Sequence, residues 1–192
     1  MKKKSRSPYA ILGLLTYGPM SGYDIRQLFE NSLSFFWNES YGQIYPTLKG
    51  LVEAGLVTVE LEQQQDRPDR KLYTITEQGV KELRAYLAEP PRASLVRNEL
   101  LLRVFFGGYM EPDQMRSLLL AFQQEQQATL NTYDAAEAAF KAEGHPDEKY
   151  WSMTLNYGRH YARAMIDWVN ETLAELESDA QNDNKSIQRS LE

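Results

Sequence analysis

Two long stretches in the second half of the chain carry mostly apolar or small side chains at spacings of four and three residues, which alternate except for two consecutive fours from Met165 to Leu173. In the first stretch these positions are Met115, Leu119, Phe122, Gln126, Thr129, Tyr133, Ala136 and Phe140. In the second they are Trp151, Leu155, Gly158, Ala162, Met165, Val169, Leu173 and Leu176. This alternation is typical of a coiled-coil seam, and the short EGHPD break predicts an antiparallel hairpin. The pattern leaves open whether the seam pairs helices within one subunit, between subunits, or both.

The first part of the chain predicts three helices, a two-stranded hairpin and a closing helix. Ser21 is a suitable N-cap for the second helix, and Gly55 suits a left-handed cap after the third. The runs LVTVELEQQ and KLYTIT alternate apolar and polar residues, as half-buried strands do. The helices are expected at 7–15, 21–31, 40–54 and 76–89. This order of elements is that of a winged helix-turn-helix domain, in which the second helix of the pair enters the DNA major groove.

We therefore predict a mainly α fold with a small β-hairpin. Its parts are expected to be an N-terminal winged helix-turn-helix domain at 1–90 and a C-terminal dimerisation domain at 91–178, built from long helices in an antiparallel coiled coil. Residues 179–192 are predicted to form a disordered tail, because they are polar and lack the apolar content of a packed core.

The third helix has a polar outer face. With Ile44, Leu48 and Val52 directed inward, helical geometry places the outward and edge positions at Ser40, Gln43, Tyr45, Pro46, Thr47, Lys49 and Gly50. Gln can read an adenine edge, Thr can contact a thymine methyl group, and Ser, Tyr and Lys can bind phosphates. Pro46 removes an N–H donor inside a helix, and we interpret it as part of a kinked, rigid reading surface. Such a face alone is usually just solvated; together with the element order it predicts DNA contact.

The loop of the predicted hairpin concentrates positive charge. Its DRPDRK segment places Arg67, Arg70 and Lys71 on a projecting element, where they can bind phosphate or enter a minor groove. The whole chain has a net charge of −6, which argues against nucleic-acid binding, but residues 1–75 hold nine Lys and Arg against eight Asp and Glu. The acidic excess lies in the remainder, so local phosphate binding is compatible with the composition.

Three motifs in this region resemble the PadR family of transcriptional regulators: SGYDI (21–25), GQIYPTLKGLVEAGLV (42–57) and DRKLYTITEQG (69–79). FFWNES (35–40), VRNEL (96–100) and the long C-terminal helices are similar to the branch that includes the virulence activator AphA. The wing departs from the family pattern, because Asp66-Arg67-Pro68-Asp69 replaces the Gly often found at its tip.

The resemblance implies a homodimer, held together by the C-terminal helices, that binds a pseudo-palindromic operator in double-stranded DNA. It implies DNA-binding positions at Tyr23, Ser40, Gln43, Tyr45, Pro46, Thr47 and Lys49, with Arg67 and Arg70 in the wing. Along the seam, the expected dimerisation residues are Phe122, Tyr133, Phe140, Trp151, Leu155, Met165, Val169 and Leu173. Many family members repress and some respond to phenolic or drug-like compounds, so we expect a repressor with a small aromatic or drug-like effector.

Several alternatives are weighed against this interpretation. The aromatic run Phe35-Phe36-Trp37 suits either an effector pocket or a contact with the C-terminal helices, and we favour the contact. A protein-interaction adaptor without specific DNA binding is the rival function.

No cofactor, metal or catalytic motif is found in the sequence, so we expect neither an enzyme nor a cofactor. His145 and His160 lack carboxylates at a ligand spacing. The chain has no Cys and no apolar run long enough to span a membrane, and we predict a cytoplasmic protein.

Overall fold

The computed structural model describes residues 6–33, 36–37, 41–63, 69–91 and 97–190, except for the side chains at 31, 41 and 179–190. The chain divides into two units, Met1–Ser94 and Leu95–Glu192. The fold is mostly helical with one small sheet. The predictions for Ser40, Arg67 and Phe35 fall outside the described residues.

The first unit has the predicted element order with one additional strand. Its helices are α1 (Ser7–Leu14), α2 (Gly22–Leu28), α3 (Ile44–Glu53) and α4 (Glu77–Ala88), and its strands are β1 (Met20–Ser21), β2 (Val57–Glu62) and β3 (Arg70–Ile75). β2 and β3 form the antiparallel hairpin, and β1 pairs with the other edge of β3. β1 was not predicted, because two residues are too few to show a strand period.

Side-chain caps fix the ends of the helices in this unit. The Ser21 hydroxyl accepts from the backbone N–H of Asp24 at 3.2 Å, and the Asp24 carboxylate accepts from the backbone N–H of Ser21 at 2.9 Å. This capping box confirms the predicted start of α2. At the start of α4, the Thr76 hydroxyl accepts from the backbone N–H of Gly79 at 3.0 Å, and Gly55 has the expected left-handed backbone, with a φ of 69°. Hydrogen bonds between residues close in sequence therefore fix where α2 and α4 begin.

The core of the first unit is apolar and continuous. Its fully buried members include Ile11, Leu12, Leu15, Ile25 and Leu48. Val57 and Tyr73 from the hairpin, with Leu83 from α4, complete it. Leu61 on the hairpin and Leu87 on α4 lie outside this core, because their side chains are 59% and 70% exposed. The hairpin and α4 both extend past the residues that could cover their outer ends.

The second unit contains the predicted helical hairpin. A short helix, α5 (Glu99–Phe105), is followed by a 3-10 turn at Gly107–Tyr109 and then by α6 (Pro112–Glu143) and α7 (Glu148–Ser190). Val169 of α7 is fully buried with Met115 and Leu119 of α6. Near the turn, the rings of Phe140 and Trp151 meet edge to face with centroids 5.5 Å apart.

The packing of this seam bears on the predicted dimerisation residues. Tyr133, Leu155 and Val169 are 7%, 9% and 0% exposed in the single chain, so α6 and α7 already cover them. A close approach explains part of this: a Cβ on Gly158 would lie 2.6 Å from Cζ of Tyr133. These three side chains therefore offer almost no surface to a second subunit. The half-buried Phe122, Phe140, Trp151, Met165 and Leu173 remain predictions as dimer contacts.

The end of α7 differs from the predicted disordered tail at 179–192. The helix continues to Ser190. Extending an existing helix requires no new nucleation, so Asp, Gln and Lys can remain helical without burying an apolar face. The polar composition of residues 179–192 shows only that they cannot form a core, and it does not show whether α7 continues through them.

Candidate nucleic-acid interface

The outer face of α3 is polar and exposed, as predicted. Gln43 is the N-cap residue, and the Lys49 side chain is 80% exposed. Pro46 is exposed and Thr47 is half-buried at the edge. On the opposite face, Ile44, Leu48 and Leu51 are buried in the core. The two faces divide the helix cleanly: one holds the domain together and the other is open to a partner.

Pro46 does not kink the helix. α3 begins at Ile44, after a 3-10 turn at Tyr41–Gln43, so Pro46 is its third residue. The first four N–H groups of an α-helix have no acceptor within the helix, and a proline there removes no hydrogen bond. The interpretation of Pro46 as a kink was therefore wrong, because it rested on a helix start at Ser40. Its exposed position beside Gln43 agrees with the prediction.

Tyr45 bridges α3 and the first turn of α2. Its ring lies so close to Gly22 that a Cβ at that position would be 2.6 Å from Cε1 of Tyr45. The side chain nevertheless remains 59% exposed. Burial raises the pKa of the neighbouring Tyr73 hydroxyl, and Tyr45 raises it further. Glycine at position 22 thus allows Tyr45 to lie across the start of α2 with its outer edge open.

Tyr23 adds a second exposed aromatic side chain to this surface. It is 62% exposed, and its hydroxyl accepts from Nε2 of Gln27 at 3.3 Å. Gln27 was not among the predicted site residues. Its position four residues after Tyr23 places both on one face of α2, which was the available signal.

The hairpin brings Arg70 and Lys71 to the edge of the unit, but in different surroundings. The Arg70 guanidinium donates to the Glu62 carboxylate and lies 3.8 Å from that of Asp24. The hydrogen bond with Glu62 raises the pKa of Arg70 above its ordinary value. Lys71 is exposed and pairs across the strands with Leu61. The two cations that the sequence places together therefore differ in their contacts, since Arg70 is paired with carboxylates and Lys71 is exposed.

The surface can offer hydrogen-bond donors and acceptors, the side-chain amides of Gln27 and Gln43, aromatic edges and lysine charge along adjacent elements. This is the chemistry of a nucleic-acid or acidic-partner surface. Among the described residues no group of three or more His, Asp or Glu is placed to hold a metal ion. Within the same part of the chain, no helix combines the length and hydropathy needed to cross a membrane.

Comparison with known proteins gives two consecutive family matches. Residues 11–85 match the model described as "Transcriptional regulator PadR-like family", and residues 96–177 match "Virulence activator alpha C-term". A relative from Bacillus subtilis, "Negative transcriptional regulator PadR", is 30% identical over 178 residues, which cover 89% of this chain and 97% of the relative.

Solved structures agree with this match. The structure of Bacillus subtilis PadR in complex with operator DNA has a TM-score of 0.79 at 28% identity, covering 90% of this chain and 99% of that one. The same protein in complex with p-coumaric acid gives 0.72 at 28% identity, with coverages of 88% and 98%. The Vibrio cholerae virulence activator AphA gives 0.68 at 29% identity, with coverages of 89% and 98%. The chain belongs to the PadR-like family of transcriptional regulators and resembles its AphA-like branch.

Proposed function

We propose that this protein is a sequence-specific DNA-binding repressor that acts as a homodimer on a pseudo-palindromic operator. The observation that carries the proposal is the division of α3 into a buried apolar face and an exposed polar one. The domain's own packing uses Ile44 and Leu48 and leaves Gln43 and Lys49 open. The Bacillus subtilis relative solved with operator DNA supports a DNA ligand for this face.

Each exposed group has a role that follows from its chemistry. Gln43 can bond an adenine edge through its amide, and Thr47 can contact a thymine methyl group. Lys49 and Lys71 carry flexible ammonium groups suited to phosphates, as do the hydroxyls of Tyr23 and Tyr45. Base contacts then specify the sequence, and phosphate contacts fix the position of the domain on the duplex.

A second copy of the chain would use surface that α6 and α7 leave open. On α7, Tyr150, Met153, Tyr157 and Tyr161 recur at spacings of three and four, so they share one side of the helix. Their exposed fractions run from 49% to 73%. An aromatic stripe of this kind marks a protein-protein surface more often than a solvated one. We propose that it contributes to the dimer together with the half-buried seam residues.

The dimer surface can be tested by sedimentation. Tyr157→Glu places a charge in the stripe and is expected to shift the protein toward monomer. Asn156→Glu adds the same charge at an exposed position outside the stripe and is expected to leave the dimer intact. Equal sedimentation of both variants and the parent would remove the stripe from the interface.

The effector and the sign of regulation are part of the same proposal. The Bacillus subtilis relative is a negative regulator and has been solved with p-coumaric acid, which supports a repressor released by a small aromatic acid. The Vibrio cholerae relative is an activator, so repression and activation by this protein must be tested separately. A reporter placed behind the operator should lose expression when the protein is present and regain it with the effector.

The DNA-binding proposal is tested by selection from random-sequence duplexes. We expect enrichment of two half-sites related by two-fold symmetry, with centres one helical turn (about 34 Å) or a multiple of it apart. No enrichment at low salt, from a dimer shown to be folded, would contradict the proposal. It would favour the rival, in which the winged helix serves only as a protein-interaction adaptor.

A further inference from the structure

The outer half of the β2–β3 hairpin has little apolar burial to hold it. Val59 and Leu61 are 40% and 59% exposed, whereas Val57 at the inner end is 2% exposed. β1 supports β3 only at Leu72 and Tyr73. Strands that do not bury a face against a core are weakly oriented by packing. Something other than the core must therefore orient the end of the hairpin that carries Lys71.

Arg70 is placed to provide that orientation. It pairs directly across the hairpin with Glu62, at the last described pair before the loop, and its guanidinium hydrogen-bonds that carboxylate. The same guanidinium lies 3.8 Å from the Asp24 carboxylate of α2. Asp24 is itself held by the capping box, because it accepts from the Ser21 hydroxyl at 2.8 Å and from the Ser21 N–H at 2.9 Å.

We propose that Arg70 is a positioning residue that ties the outer end of the hairpin to the first turn of α2, and that it does not serve as a phosphate ligand. This inference rests on the proposed function and deepens it, since it assigns the roles within the wing. Through Arg70, the helix that precedes the recognition helix sets where Lys71 meets the DNA. Lys71 belongs to the same strand and provides the contrast.

Binding to operator and to random DNA separates the two roles of Arg70. A positioning role predicts that Arg70→Gln and Asp24→Asn each lower the ratio of operator to random affinity by about threefold, the size expected for exposed ion pairs. The Asn side chain can still accept from the Ser21 N–H, so the cap of α2 is kept. The double variant should be no worse than either single one, because both changes break the same tie. The salt dependence of binding should stay unchanged in all three.

A phosphate ligand would give the opposite pattern. Arg70→Gln would then weaken binding to both DNAs equally and lower the salt slope by about one. Asp24→Asn would strengthen binding to both DNAs, because it removes a negative charge beside the guanidinium. Either result would overturn the inference. Lys71→Gln is the matched control, and we expect it to show the equal loss and the lower slope.

A measurement without DNA keeps the inference separate from the proposed function. The chain contains no Cys, so Glu53→Cys on α3 and Glu60→Cys on β2 give two unique spin-label sites. The distance distribution between the labels should broaden in Arg70→Gln and Asp24→Asn and stay narrow in Lys71→Gln. Unchanged distance distributions would contradict the proposed link between Arg70 and α2, even if the protein binds operator DNA. Broadened distributions in a protein that does not discriminate DNA would refute the proposed function and leave the tie standing.

Discussion

Both units carry polar side chains on their helices, but those of α3 face solvent, whereas one arginine of α7 is buried. On α3, Gln43 and Lys49 are exposed, and the cluster packed behind them is built from hydrophobic side chains. On α7, Arg159 is 9% exposed inside the hairpin. It donates to Asp134 at 3.0 Å, to Glu137 at 2.6 Å and to the Tyr133 carbonyl at 3.2 Å. A polar group satisfied within the chain supports the fold, and one left open is available to a partner.

The buried Arg159 also links the two helices of the α6–α7 hairpin. Burying an arginine among apolar side chains costs free energy unless its N–H groups donate to acceptors. The acceptors of Arg159 lie on α6, where the Asp134 and Glu137 carboxylates and the Tyr133 carbonyl receive its N–H groups. On the α3 face, Lys49 lies 3.8 Å from Glu53 one turn further along the same helix, and both side chains remain mostly exposed.

The largest expected effect separates the two faces of α3. Leu48→Ala removes a fully buried side chain and should lower the free energy of unfolding by about 2–5 kcal/mol, measured by urea denaturation. Lys49→Ala, one residue further, should change it by no more than about 0.5 kcal/mol while weakening DNA binding. A large stability loss in Lys49→Ala would show that the outer face also belongs to the fold.

An intermediate effect is expected from the Arg159 cluster of the α6–α7 hairpin, in which Arg159 bonds Asp134, Glu137 and the Tyr133 carbonyl. Arg159→Ala should destabilise the protein by about 1–3 kcal/mol, because it leaves partly buried acceptors without their donor. Arg163→Ala removes the same group from an exposed position one turn further along α7 and should change stability by about 0.5 kcal/mol at most. Equal effects in thermal unfolding would contradict a structural role for the cluster.

A smaller effect concerns pH. The hydrogen bond from Lys141, followed by the interaction with Arg159, lowers the pKa of Glu137 below its ordinary value of 4.5. The stabilisation is therefore complete above that value and is lost as the pH falls through the lower pKa of the folded state. Glu137→Gln should thus show less loss of stability than the parent between pH 6 and about pH 3. Parallel pH profiles for both proteins would contradict the assignment.

The sequence predicts most of the fold because its periodic features are long or chemically marked. The seam of α6 and α7 spans many turns, and Ser21 and Thr76 are recognisable caps that the structure confirms. The features it missed depend on contacts between distant residues. Two-residue β1 has no period of its own, and the exposure of Leu61 depends on where the core ends.

The candidate site shows the same limit. The helical geometry of α3 predicts that Gln43, Pro46 and Lys49 are exposed, and the structure confirms their exposure. The pairing of Arg70 with Asp24 joins residues from two elements, and a residue pattern within the hairpin cannot reveal it. For the same reason the sequence did not distinguish Arg159 from the solvated arginines of α7. One-dimensional patterns predict which face a residue occupies, and only the fold shows what lies opposite.

The most direct test of the central claim compares Gln43→Ala and Lys49→Ala on operator and random DNA. If the outer face of α3 reads sequence, Gln43→Ala should lower the affinity for operator by about 1–3 kcal/mol and leave the affinity for random DNA nearly unchanged. Lys49→Ala should weaken both by similar factors and reduce the salt slope by about one. Equal losses on both DNAs for Gln43→Ala would contradict the account, because α3 would then hold DNA without reading it.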